Sequence, residues 1–289
     1  MIQSQNNQKL ETVLEIKDLW KVYARNNVDI DVDVKNKDMI AQLDKSEDTI
    51  VAIRGISLSV RRGEFFVIMG LSGSGKSTLI RCILRLIEPT SGEIQVNGQE
   101  VMALSQKELI EFRRKHVAMV FQHYGLLPHK TILQNVAFGL KLQGISKKEG
   151  EERSRSALNH VGLEGWENYY PHSLSGGMRQ RVGIARALVM DAPILLMDEP
   201  FSGLDPLIKR EMQDELARLQ QELHKTIFFV THDLDEAIQL GDRMAIMKNG
   251  TIVQTGRPTH ILANPADSYV ARFVQDKRHQ LEIANKESF

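Results

Sequence analysis

The chain has 289 residues, 42% of them hydrophobic, enough to bury a full core as one large domain or two coupled lobes. Lysine plus arginine and aspartate plus glutamate number 37 each, so no excess of positive charge argues for wrapping nucleic acid or lying on an anionic membrane, and no nucleic-acid partner is expected. The start has no apolar signal core, no apolar run approaches the roughly 18 residues of a membrane span, and the single cysteine, Cys82, sits in an apolar helical stretch as a packed thiol, so a cytoplasmic location is expected.

In chain order, residues 13–19 alternate as a strand and residues 56–60 do so again before the Arg61-Arg62-Gly63 turn, which predicts a pair of edge strands. Residues 26–50 between them are polar and rich in aspartate. Their spacing lacks the glycine and distal glutamate of an EF-hand, so a solvated insertion is expected. Tyr23, just before it, is a candidate to stack on a nucleotide base.

Residues 64–69 read as a buried parallel strand and residues 78–87 as a helix. Between them, Gly70-Leu71-Ser72-Gly73-Ser74-Gly75-Lys76-Ser77-Thr78 fits G-x-x-x-x-G-K-[ST]. In that loop glycines let backbone N–H groups converge on phosphate oxygens, while a lysine and a hydroxyl reach the terminal phosphate and its Mg²⁺. A nucleoside triphosphate is therefore the expected ligand.

Asn97-Gly98 marks a hairpin after residues 93–96. Ser105 and Glu108 form a capping box that opens a helix to about residue 115, followed by a buried strand at 117–121 that ends at Gln122. Residues 126–177 are mostly helical, with a second capping box at Ser146 and Glu149 and a stop at Gly162. Strands at 194–198 and 226–230 flank a long helix from 206 to about 224; a hairpin at 243–255 turns at Asn249-Gly250, and the tail beyond about 276 is expected to fray. Alternating strands and helices predict an α/β fold with a parallel sheet covered on both faces, in one catalytic lobe carrying a helical insert at about 125–178.

Asp198-Glu199 ends a buried strand, where ligands of open α/β sheets collect. Asp198 is a candidate to hold Mg²⁺ and Glu199 to polarise an attacking water. Leu174-Ser175-Gly176-Gly177 opens a helix and offers a second anion site from backbone N–H groups and a hydroxyl.

These two loops resemble the motifs of the ATP-binding-cassette (ABC) ATPases over about residues 11–265. In order, Gln122 matches the family's Q-loop, Ser202-Gly203-Leu204-Asp205 its D-loop and His232 its switch histidine. The resemblance implies a P-loop NTPase core with an antiparallel β subdomain and a helical signature subdomain, followed by a tail at 266–289. It implies ATP and Mg²⁺ as cofactors. Gly70, Ser72, Gly73, Ser74, Gly75, Lys76, Ser77 and Thr78 would hold the phosphates, and Ser77, Gln122 and Asp198 the metal. Glu199, His232, Gln122 and Lys76 would be catalytic. It also implies a head-to-tail homodimer, in which Ser175, Gly176 and Gly177 of one chain close on the ATP of the other and Asp205 communicates across the seam.

Segments 113–122, 205–216 and 231–250 look very similar to ATPase subunits of bacterial glycine betaine and proline betaine importers. That branch implies transmembrane permease subunits, a periplasmic or lipid-anchored substrate-binding protein, and a peripheral position on the cytoplasmic face of the plasma membrane. Many of its members continue into paired regulatory CBS modules, for which this chain is expected to be too short. Pro200 also stands where some of them place alanine. The alternatives are the ATPase of an exporter or lipid-extracting complex, or a non-transport cassette protein; the latter usually carries two cassettes or long coiled coils, and neither is seen.

Overall fold

The computed structural model describes residues 11–24, 40, 42–43, 45–122, 124–275 and 277. Strands β1 (Thr12–Ala24) and β2 (Thr49–Arg61) pair antiparallel. They join β4 (Ser91–Val96) and β5 (Gln99–Glu100) in a four-stranded sheet of order β2-β1-β4-β5. β1 is therefore not an edge: Ile16 pairs with Leu58 on one side and Ile94 on the other, because the backbone of β1 forms ladders along both of its edges. The expected hairpin forms, with Asn97 and Gly98 at φ 49° and 76°.

The second sheet holds β3 (Phe65–Gly70), β6 (Val117–Val120), β7 (Ile194–Asp198), β8 (Thr226–Thr231), β9 (Arg243–Lys248) and β10 (Thr251–Gly256). Its order is β10-β9-β3-β8-β7-β6, parallel except for the β9–β10 hairpin. β3, β7 and β8 are buried throughout, as strands covered on both faces must be. Alternation along β3 sorts the two cores. Phe66 and Ile68 pack with the antiparallel sheet and with helices α1 (Lys76–Ile83) and α2 (Gln106–Lys115), whereas Phe65, Val67 and Met69 face the remaining helical layer.

That layer contains the short α3 (Ile132–Val136) and α4 (Phe138–Leu142), then α5 (Lys147–His160), α6 (Gly176–Leu188), α7 (Pro206–Leu223), α8 (Leu234–Leu240) and α9 (Pro258–Ala263). α1 is shorter than the expected 78–87 and starts earlier, since Arg85 turns to φ 47° and its N–H returns to the Cys82 carbonyl. The Ser105–Glu108 capping box is present. Only half of the second one forms: Ser146 Oγ accepts from Glu149 N, but the Glu149 carboxylate is engaged by Arg153. Thr131 and Gln134 form a further box that sequence reading overlooked.

Most of the 26–50 segment lies outside the described residues. At its end Thr49 and Ile50 already belong to β2, and Ile40 and Leu43 pack on Val22 and Val51, so this part is not merely solvated. Residues 268–275 are helical, with Val270 and Val274 fully buried; the chain past 265 is thus docked before it leaves the described region beyond 277.

Candidate functional site

The phosphate-type loop is shaped by close backbone approaches that no side chain would fit. A Cβ on Gly75, which has φ 102°, would lie 2.5 Å from the Ala52 carbonyl, and one on Gly70 would lie 2.5 Å from that of Met247. The Asn249-Gly250 turn braces the same loop. Gly250 N donates to Ser74 O (3.1 Å), while Gly250 O accepts from Arg54 N (2.9 Å).

Lys76 opens α1 and is 4% exposed. Its ammonium donates to the carbonyls of Gly70 (2.8 Å) and Leu71 (3.1 Å) and lies 3.8 Å from the Glu199 carboxylate. Burial lowers its pKa below the usual lysine range, against the pull of Glu199 and Asp198. Ser74 Oγ, also buried, has no hydrogen-bond partner among the described residues. An orphaned hydroxyl inside a glycine cradle beside a buried ammonium is a donor set that fits phosphate oxygens.

At the end of β7, Asp198 is 1% exposed and accepts from Ser77 Oγ (2.9 Å). Burial raises its carboxyl above the usual range, and the Ser77 bond and Arg81 offset part of this. Glu199 follows in a left-handed conformation, φ 46°, with its N–H donating to Val230 O (2.9 Å). This turn aims its carboxylate between Lys76 and His232, whose Nδ1 is 3.1 Å away. Strain of this kind at a non-glycine residue persists only where surrounding structure enforces it.

One cleft of about 900 Å³ gathers these groups. Leu71 to Thr78, Tyr23, Gln122, Glu199 and His232 line it, so most of the residues singled out from sequence converge. Gly70 shapes the loop from behind, and Asp198 reaches the cleft through Ser77. Tyr23 opposes Ile50 across the β1–β2 ladder, giving the cleft an apolar ledge suited to a base. Sequence reading missed Ile50, Arg54, Asn249 and Gly250, which also line the cleft. Asn249-Gly250 announced only a hairpin, and nothing local says which loop that hairpin touches.

Four predicted residues stand apart from the cleft. Ser175 caps α6 by accepting from Met178 N (3.2 Å), and Asp205 caps α7 by accepting from Ile208 N (3.0 Å). The two helix starts abut: a Cβ on Gly177 would lie 2.5 Å from Ile208 Cγ2, and one on Gly176 would lie 3.5 Å from the Tyr124 hydroxyl. Cys82 is fully buried and its thiol is pushed up to about 12, so it takes no part in the chemistry.

The fold and cleft define a P-loop nucleotide-binding cassette, a mainly parallel sheet in which the loop after β3 is shaped for phosphate and β7, the next strand but one across the sheet, delivers two carboxylates. Residues 53–202 match the ABC transporter family model, about half of the chain, and the chain belongs to that family. It is 54% identical over 232 residues to the glycine betaine/carnitine transport ATP-binding protein GbuA of Listeria monocytogenes serotype 1/2a (strain 10403S), covering 80% of this chain and 58% of that one. It is 50% identical over 260 residues to the glycine betaine/proline betaine transport system ATP-binding protein ProV of Escherichia coli (strain K12), covering 90% of this chain and 65% of the relative. The chain thus spans about three fifths of the length of these relatives. A solved dimer of the ATP-binding cassette MJ0796 in a post-hydrolysis state, bound to ADP and Pi, superposes with a TM-score of 0.72 at 33% identity over 85% of this chain and 98% of that one.

Proposed function

We propose that the chain hydrolyses ATP as the energy-coupling subunit of a bacterial importer for glycine betaine, proline betaine or a related quaternary amine or amino acid. The observation that carries the ATPase reading is the placement of Glu199 between Lys76 and His232, next to the Ser77–Asp198 pair. The substrate class is supported by the names that GbuA and ProV carry.

In this reading Lys76 and the N–H groups of residues 73–78 hold the β- and γ-phosphates, and Tyr23 stacks on the base. Ser77 and Asp198, with Gln122, would hold Mg²⁺, which supplies charge neutralisation at the phosphates. Glu199 accepts a proton from, or orients, the attacking water, and His232 contacts the γ-phosphate. Positioning and charge neutralisation supply most of the acceleration, as phosphoryl transfer asks little covalent chemistry of a protein.

Ser175, Gly176, Gly177 and Asp205 do not line the cleft. They are given to a second copy, packed head to tail. Among the described residues no helix is long and apolar enough to cross a membrane. Separate permease subunits would supply the spans, and a periplasmic or lipid-anchored binding protein the selectivity, with this chain peripheral on the cytoplasmic face. The helical insert from Gln122 to Leu142 is the surface for a permease's cytoplasmic loop.

Glu199→Gln tests the assignment. Turnover should fall by about a hundredfold or more while ATP still binds and a closed dimer accumulates. Near-normal hydrolysis by that variant would remove Glu199 from its role.

A further inference from the structure

This inference deepens the proposed hydrolysis and rests on the role given there to His232. The His232 side chain is 57% exposed, and among the described residues its ring bonds only to Glu199. Its neighbours in the chain, by contrast, are tightly held. Thr231 Oγ1 donates to Glu236 Oε2 (2.5 Å) and accepts from Asp233 N (3.0 Å). Asp233 Oδ1 accepts from the N–H groups of Asp235 (2.8 Å) and Glu236 (3.4 Å), capping α8.

Both carboxylates then meet one cation from another element. Lys209 Nζ lies 2.6 Å from Asp233 Oδ2 and 2.5 Å from Glu236 Oε1. Lys209 stands in the first turn of α7, its own N–H donating to the Asp205 carbonyl (2.9 Å). Glu236 is 3% exposed, and no other cation touches it among the described residues. Burial raises the Glu236 carboxyl, and Lys209 pulls it back.

Lys209 and Asp233 are half-buried and Glu236 is buried, and an ion pair with a buried member contributes little net stability, because desolvation offsets most of the attraction; fixing a geometry is its better attested use. Here the geometry fixed is the turn that carries His232.

We propose that Lys209 is a positioning residue for hydrolysis, locking the turn that presents His232 to the cleft against the Asp205-capped end of α7. The α7 end and the histidine then move as one unit. Any shift of α7 along its axis is felt at both flanks of His232 through one ammonium, while the nucleotide-holding loop, which Lys209 does not touch, stays as it is.

The test is a double-mutant cycle in steady-state ATP hydrolysis by the full chain, using Lys209→Met, His232→Ala and the pair. Lys209→Met should lower kcat ten- to a hundredfold, roughly the cost of misplacing a reacting group by about 1 Å, with KM for ATP changed by less than about twofold. Lys209→Arg should restore most of kcat. In the His232→Ala background Lys209→Met should cost nothing more, because residues acting as a unit are not additive. Lys209→Met with Glu236→Gln removes the one fully buried carboxylate that would lack its cation, and Asp233, a third exposed, keeps its two N–H donors, so this variant should fold normally by thermal melting and still show low kcat. Full kcat in either Lys209→Met protein, additive losses in the cycle, or a KM that rises as kcat falls would overturn the proposal. An active His232→Ala would instead remove the histidine assignment and this inference with it, whereas an inactive His232→Ala beside a fully active Lys209→Met removes only this inference.

Discussion

Gly75 joins three demands at one position: it precedes α1, its φ of 102° lies in a region closed to ordinary side chains, and the Ala52 carbonyl fills the space a Cβ would need. Gly75→Ala therefore cannot be accommodated by rotating a side chain, and the loop or β2 must shift. A loss of about 2–3 kcal/mol in stability is expected, with a weakening of nucleotide binding of at least about tenfold. Denaturant titration and nucleotide titration of the same protein read the two effects. Gly73 is a control, because its Cβ would meet nothing within 4 Å although its φ is 78°. Gly73→Ala should cost only the backbone strain, about 1–2 kcal/mol. The glycines were legible in the sequence as a pattern, but which one is locked by tertiary contact was not, since Ala52 is 23 positions away from Gly75 in the chain.

Elements were legible wherever a local signal set their ends. The Ser105–Glu108 box, the Asn97-Gly98 and Asn249-Gly250 turns and Pro206 after Asp205 all fell where their chemistry places them. What pattern could not supply was the set of ties between elements. Arg186, in the last turn of α6, donates to the carbonyls of Gly125 (2.6 Å) and Tyr124 (2.8 Å), and the Arg179 guanidinium lies 5.7 Å from the centre of the Tyr124 ring. Tyr124 and Gly125 both have positive φ, 58° and 55°, so the chain is buckled at these two residues and held there to α6 by charge-assisted bonds. Burial lowers the Arg186 pKa, yet guanidinium stays ionised across the physiological range. Arg186→Met should cost about 2–3 kcal/mol, the scale of lost hydrogen bonds to a charged donor. Loss of amide-exchange protection should concentrate at residues 121–126. ATP binding should persist while turnover falls, because Gln122 lies in that segment and the loop at 70–78 does not. If exchange rises evenly over α6 instead, Arg186 supports the helix and not the Gln122 segment.

For the whole molecule, the question is why one fold carries two anion-type loops that do not share a cleft. The helical layer places the starts of α6 and α7 side by side, while Lys76 and Ser77 open α1 after the carboxyl end of β3. Within one chain Ser175 has a capping bond to Met178 and no place in the cleft lining, which fits the proposal that it serves the cleft of a second copy. In the proposed head-to-tail pair each cleft would receive the Ser175 loop of its neighbour, and that arrangement makes a complementation prediction. Lys76→Ala spoils the cleft of its own chain; Ser175→Arg spoils the cleft of the other. Each protein alone should be inactive. Mixed in equal amounts, half of the pairs are hybrids, and each hybrid holds one intact cleft of two, so about a quarter of the unaltered activity should return if the two clefts work independently. The recovery should vanish on dilution below the dissociation constant of the pair. If both loops served one cleft within a chain, every chain in the mixture would carry a lesion in its own site, and no activity would return at any concentration.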